Sequence, residues 1–214
     1  MFKAVSQRLA EHSVSAAYSR RFRQKGAKPE GVFWASQLSQ IARFEQALIH
    51  LAGYFGANHR YRLTDVGCGY GALFDFISNT PRYCDIAYQG VDINKEMVRH
   101  CHQRFPRHKA LFTQDRKPGK QTDASVFIGT FNLCHTDDYA LWEDYILSQL
   151  DKSWAMTSHI MVLNMTSLTS PQIRNDIFYA EPQSFSKKLS HYFGKVSYGA
   201  TKYLNDDVCF VIRR

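Results

Sequence analysis

At 214 residues the chain is long enough for one α/β domain with a full core and short for two, and its 44% hydrophobic and 21% charged residues exclude a disordered composition. No apolar run reaches the length of a membrane span, and the charges scattered through the first 21 residues argue against a secretory signal. Five cysteines, odd in number and without a C-x-x-C pair, suit a reduced cytoplasmic protein better than a disulfide framework.

The net charge of +8 is concentrated at the start: residues 1–62 carry ten Lys/Arg against three Asp/Glu. Residues 3–25 read as a helix, with Val5, Leu9, Ala16 and Tyr18 loosely periodic. Its last turns hold Arg20, Arg21, Arg23 and Lys25, where cations complement the helix dipole. Gly26, Pro29 and Gly31 then interrupt the chain. Ser36 is placed to cap a second helix, in which Leu38, Ile41, Leu48, Leu51 and Phe55 recur at helical spacing.

From Arg62 onward, short apolar runs alternate with amphipathic segments in a βαβ pattern. The expected strands are Arg62–Val66, Ala87–Asp92, Ala110–Thr113, Ala124–Gly129 and His159–Asn164. The expected helices are Ala72–Ser78, Lys95–Phe105 and Tyr139–Leu150. Two β-rich runs close the chain, Lys195–Leu204 and Asp207–Arg213, joined by Asn205-Asp206 as a hairpin turn.

The chemistry concentrates where the first strand meets its helix, at Thr64-Asp65-Val66-Gly67-Cys68-Gly69-Tyr70-Gly71. A glycine-rich turn lets backbone approach a ligand closely, and the following helix offers free N–H groups. Asp92 ends the second strand, where a carboxylate can accept both hydroxyls of a ribose. The glycines alone would also fit a nicotinamide dinucleotide. Asp65, two residues before the first glycine, instead favours a cationic aminoacyl group and repels a pyrophosphate. Gly71 after a single residue, and the shortness of the chain beyond, point the same way. The ligand expected is S-adenosylmethionine (SAM).

With DVGCGYG followed by GVDINKEMV, the chain resembles the class I SAM-dependent methyltransferases in their first two motifs. The resemblance covers roughly residues 32–214. It implies an α/β, Rossmann-like seven-stranded mostly parallel sheet of order 3-2-1-4-5-7-6 with the last strand antiparallel; the helical residues ahead of it read as an N-terminal helical cap over residues 1–31. It further implies that Asp65, Gly67, Gly69 and Gly71 hold the methionine moiety, that Asp92 holds the ribose with Ile93 beside the adenine, and that Asp115 contacts the adenine amino group. The family's usual Gly-Asp at that last place is here Gln114-Asp115. Thr130, after the fourth strand, is counted with the cofactor-binding set. The segments WASQLSQIARF, GTFN, VLNMTSL and FYAEP are similar to bacterial members of mostly unassigned substrate, and within the first of them Arg43 is placed to pair with the SAM carboxylate.

Ligands in open α/β sheets sit outside the carboxyl ends of the strands, so His135, Asp137, Asp138 and Asn164 are candidates to take a proton from an acceptor. His135 is preferred as catalytic base. Trp34 and Tyr179 are expected at the acceptor pocket. The acceptor expected is a small molecule or saccharide, methylated on oxygen or nitrogen. The alternative is an RNA methyltransferase, or a SAM-binding protein that contacts RNA through the basic N-terminal segment. No metal site is expected from HCHQRFPRH, whose i and i+2 neighbours diverge on a helix. Tyr198-x-x-x-Lys202 lies on a strand-like run, which disfavours a short-chain dehydrogenase.

Overall fold

A computed structural model describes residues 2–56 and 59–214 of the chain. Met1, the first residue of the expected cap, lies outside them.

Two parallel βα steps and a direct strand-to-strand connection build the first half of the sheet. Strand β1 (Tyr61–Val66) leads to α3 (Ala72–Ser78), β2 (Ile86–Asp92) to α4 (Lys95–Arg104), and β3 (Phe112–Gln114) to β4 (Thr122–Ile128) without a helix between. Beyond these come α5 (Tyr139–Trp154), β5 (Thr157–Thr166), a small hairpin of β6 (Gln172–Arg174) and β7 (Ile177–Tyr179), α6 (Pro182–Phe193), β8 (Lys195–Ala200) and β9 (Asp207–Arg213). The seven-stranded sheet runs β3-β2-β1-β4-β5-β9-β8, and β9 lies antiparallel to both of its neighbours. That is the expected order once the separate hairpin is set aside.

The central strands are buried on both faces, which is why they read as continuous apolar runs rather than alternating ones. One face packs Leu48, Leu51, Leu73, Phe74 and Val98 of α2 (Gln37–Phe55), α3 and α4. The other packs Trp142, Ile146, Leu150, Phe185 and Leu189 of α5 and α6. Ser36 caps α2 as expected, accepting from the Ser39 amide at 3.2 Å while the Ser39 hydroxyl accepts from the Ser36 amide. Leu38 is a correction: it is 80% exposed, and the buried stripe of α2 runs through Gln40, Phe44, Ala47, Leu48 and Leu51.

Helix α1 (Phe2–Lys25) also buries a stripe other than the expected one. Val5 and Leu9 are exposed, whereas Ala10, Glu11, Val14, Ala17 and Phe22 are buried. Small residues and a paired acid let the helix lie close against the sheet end, where bulky apolar periodicity is a poor guide. The third strand starts at Phe112 rather than Ala110, because Pro106–Leu111 form a 3-10 turn. The final hairpin is looser than the expected two-residue turn. Strand β8 ends at Ala200, and residues 201–206 form a loop while the Asp207 side chain is drawn inward by Arg43 and Asn164.

Two elements went unread in the sequence, though both carry signals. Asn175 and Asp176 have φ of 53° and 58°, the geometry of a two-residue hairpin turn between Arg174 and Ile177. Helix α6 opens with Pro182 and is capped by Glu181, which accepts from the amides of Gln183 and Ser184. Among the described residues no helix is long and apolar enough to cross a membrane.

Candidate functional site

Beyond the carboxyl ends of β1, β2 and β4 lies a cavity. Asp65, Gly67, Gly69, Asp92, Ile93, Asp115 and Thr130, all expected in one site, line it together. Its remaining walls come from α1, α2 and α5, including Tyr18, Gln40, Phe44, Trp142 and Tyr145.

Two buried acids dominate this cavity. Asp92 is fixed by backbone: its Oδ2 accepts from the Gly69 amide and its Oδ1 from the Asn94 amide, each at 2.8 Å. Every carboxylate oxygen has two acceptor lone pairs, so each keeps one for a ligand. Burial raises the Asp92 pKa, against the lowering effect of those amides. Asp65 accepts from the Tyr88 hydroxyl at 2.8 Å. Burial pushes its carboxyl up to about 7, the phenol opposes that rise, and the Asp92 charge adds to it. An acid so placed gains from a cation arriving beside it.

Thr130 caps the end of β1, its hydroxyl donating to the Val66 carbonyl at 2.8 Å. Asp115 sits exposed at the rim, with its amide 3.2 Å from the Asp92 carbonyl. Glu11 of α1 reaches in from above, bonding Arg116 through both carboxylate oxygens (2.5 and 3.2 Å) and accepting from Tyr145 at 2.8 Å. The charged groups lining the cavity are thus Glu11, Asp65, Asp92 and Asp115 against Arg116. In a chain of net charge +8, this is a local acidic pocket.

Three expected site residues stand elsewhere. Gly71 does not line the cavity. It faces the core, where a Cβ would lie 2.7 Å from the Phe105 ring, so its need is for packing space. Arg43 is directed away from the cavity: its Nε donates to Asp207 at 2.6 Å, its Nη1 to the Ser39 carbonyl at 3.1 Å, and its guanidinium stacks 4.4 Å above the Trp34 ring. His135 lines no cavity described here, and its Nδ1 lies 2.8 Å from the Ser13 hydroxyl, tying α1 to the segment after β4. That placement does not serve a catalytic base. Of the other proton-acceptor candidates, Asp138 caps α5 and Asn164 is buried against Asp207.

A second cavity adjoins the first, sharing Tyr18, Val32, Trp34 and Gly129 with it. Both expected acceptor-side aromatics, Trp34 and Tyr179, line it. Sequence reasoning missed the loop before β9 as a wall of this cavity, where Tyr203, Asn205 and Asp206 stand. The helical cap expected over residues 1–31 does supply a wall of the first, through Glu11, Val14, Ser15 and Tyr18 of α1, although none of these was singled out as a site residue. The signal for α1 was Glu11, a single acid among the basic residues of that helix.

No family model matches the chain. The curated protein "Putative methyltransferase Rv1506c" of Mycobacterium tuberculosis is 33% identical over 125 residues, which are 57% of this chain and 74% of that protein. Magnesium protoporphyrin IX methyltransferase (ChlM) from Synechocystis PCC 6803, solved with bound SAM, superposes with a TM-score of 0.60 at 15% identity, covering 99% of this chain and 96% of its own. DhpI, solved with S-adenosylhomocysteine (SAH), gives a TM-score of 0.60 at 14% identity over 94% and 95% of the two chains. These structural likenesses carry the fold, and the curated relative carries the family. The chain belongs to the class I SAM-dependent methyltransferases.

Proposed function

We propose that this enzyme transfers a methyl group from SAM, bound in the acidic cavity, to an oxygen or nitrogen of a small-molecule or saccharide acceptor in the adjoining one. The observation that carries the reading is the set of acids, Asp65 and Asp92 above all, around a cavity at the sheet's carboxyl edge. A sulfonium ligand with an α-amino group is cationic at both centres, and a low-dielectric acidic pocket favours it over a pyrophosphate. Asp92 would hold the ribose hydroxyls with its remaining lone pairs. Asp65 would face the amino group. Gly67, Gly69 and Thr130 would let backbone approach the ligand, with Ile93 against the adenine and Asp115 at its amino group.

When bound, SAM would supply a methyl already activated on its sulfonium, held by Asp65, Asp92, Gly67 and Gly69. The chain's own work is therefore to orient the two partners and to exclude water from the sulfonium. Residues 1–31 serve as a cap. Contacts from Glu11 to Arg116, Ser13 to His135, Ser15 and Ser19 to Asn94, and Arg23 to Glu96 support this, because they bridge both lips of the crevice.

Isothermal titration of the full chain tests the assignment. SAH should bind and neither NAD nor NADP should respond. Micromolar nicotinamide binding with no response to SAH would remove it.

A further inference from the structure

The two cavities share four lining residues, Tyr18, Val32, Trp34 and Gly129. These form a neck between the chambers. Gly129 has φ of 68°, and a Cβ there would lie 2.7 Å from the Trp34 indole, so only glycine lets that ring lie across the end of β4.

The outer chamber has an unusual wall. Four non-glycine residues of the described chain have positive φ: Asn175 and Asp176 in the β6–β7 turn, and two aromatics, Phe33 (φ 63°) and Tyr203 (φ 69°). Both aromatics line this chamber. Bulky residues in the left-handed region are strained and persist only where the surroundings over-determine them, and such strain gathers at functional sites. Phe33 caps the 3-10 turn of Pro29–Val32 and meets Tyr18 edge-on at 5.3 Å, while Tyr203, 82% exposed, has, among the described residues, only Lys202 over its ring at 4.8 Å.

The polar groups of the chamber narrow its occupant. Its lining charges are Arg43, Asp206 and Asp207, and Arg43 is already paired with Asp207. Among the described residues no unpaired cation lines the chamber, and Arg174 and Lys202 are engaged over the Tyr179 and Tyr203 rings at 5.4 and 4.8 Å. Asn132 uses its Oδ1 on the Thr166 amide at 3.1 Å, and its Nδ2 stands beside Gly129 at the neck, with no protein acceptor among the described residues. A donor at the neck, aromatic faces at the mouth and one unpaired carboxylate, Asp206, suit an uncharged ring that carries hydroxyls.

Resting on the methyltransferase reading, we propose that the outer chamber selects a neutral hydroxylated ring, a sugar or a phenol, as the methyl acceptor. Rings stack on the wall of Trp34, Tyr179 and Tyr203, and Asn132 aligns the hydroxyl nearest the neck. Nucleic acid is disfavoured as acceptor because the chamber opposes its phosphates.

The test uses saturation-transfer NMR on the full chain loaded with SAH. Probes are p-nitrophenyl β-D-glucopyranoside, which carries both kinds of ring, then methyl β-D-glucopyranoside and phenol to separate them, and a uridine 12-mer. SAH binding, measured first, reports the cofactor reading on its own; its failure would remove the methyltransferase assignment and this inference with it. With SAH bound, the p-nitrophenyl glucoside should give a saturable signal, and Tyr179→Ala should weaken it about tenfold, the scale of losing one stacked aromatic face, while leaving SAH affinity unchanged. Whichever of the two simple rings binds identifies the source. Absence of a saturable signal on SAH-loaded protein, binding indifferent to Tyr179→Ala, or 12-mer binding that depends on Tyr179 would each overturn the proposal.

Discussion

At Asp65 the carboxyl is held up to about 7, and the sign of the consequence is unusual for an acid. The unfolded chain loses this proton near pH 4, whereas the ligand-free fold keeps it to about 7. Stability therefore falls as pH rises between those values, and the cost is complete above the upper one. Asp65→Asn should raise the melting temperature of the ligand-free protein at pH 8 and do so less at pH 5, as differential scanning fluorimetry would record. The same substitution should weaken SAH binding and abolish the gain in affinity predicted for the native protein as pH rises through 7. Equal melting shifts at the two pH values, or unaltered SAH affinity, would show that no cation meets this acid. Burial raises the Asp92 carboxyl too, but two amides favour its charged form and oppose that rise. Asp92→Ala should cost about 1–3 kcal/mol of SAH binding in calorimetry, the worth of hydrogen bonds to a charged acceptor, with the fold retained. Unchanged affinity in a folded variant would take the ribose away from it.

Helix α1 is the element on which the crevice depends most and whose role the sequence disclosed least. Its position was legible, since it spans residues 2–25 where 3–25 was expected, but its buried face was not. Periodicity weighs side-chain bulk, and this helix docks through alanines, a valine and Glu11. The Glu11 carboxylate meets Arg116 and Tyr145, and the half-exposed arginine limits the value of that contact to about 1 kcal/mol. Glu11→Ala should accordingly leave the fold intact, speed hydrogen exchange along α1 and weaken SAH binding severalfold. Unchanged exchange in α1 would mean that this contact does not hold the cap. By contrast α3 and α4 were legible almost to the residue, because a glycine turn or Asn94 marks their starts. The β6–β7 hairpin was overlooked for its brevity: three-residue strands carry almost no periodic signal, and only Asn175-Asp176 marks the turn.

For the molecule as a whole, sequence and structure agree on the sheet, because strands buried on both faces write themselves as apolar runs in a fixed order. Local motifs likewise brought Asp65, Gly67, Gly69 and Asp92 to one cavity, since strand ends and the turns after them are neighbours in any such sheet. What the sequence could not show were pairings between distant segments. Arg43 meets an acid 164 residues away, and Ser13 meets His135 across 122 residues, and both contacts redirect side chains that looked available for the reaction. The chain's charge is distributed the same way. Its excess of positive charge lies outside, Arg21 and Arg23 are spent on the Glu30 carbonyl and on Glu96, and the crevice itself is acidic.

A crystal structure of the full chain with SAH tests this account most directly. Density should fill the cavity beyond β1, β2 and β4, with the ribose hydroxyls on Asp92, the amino group at Asp65 and the sulfur facing the neck of Tyr18, Val32, Trp34 and Gly129. SAH bound with its ribose away from Asp92, or its sulfur turned from that neck, would contradict it.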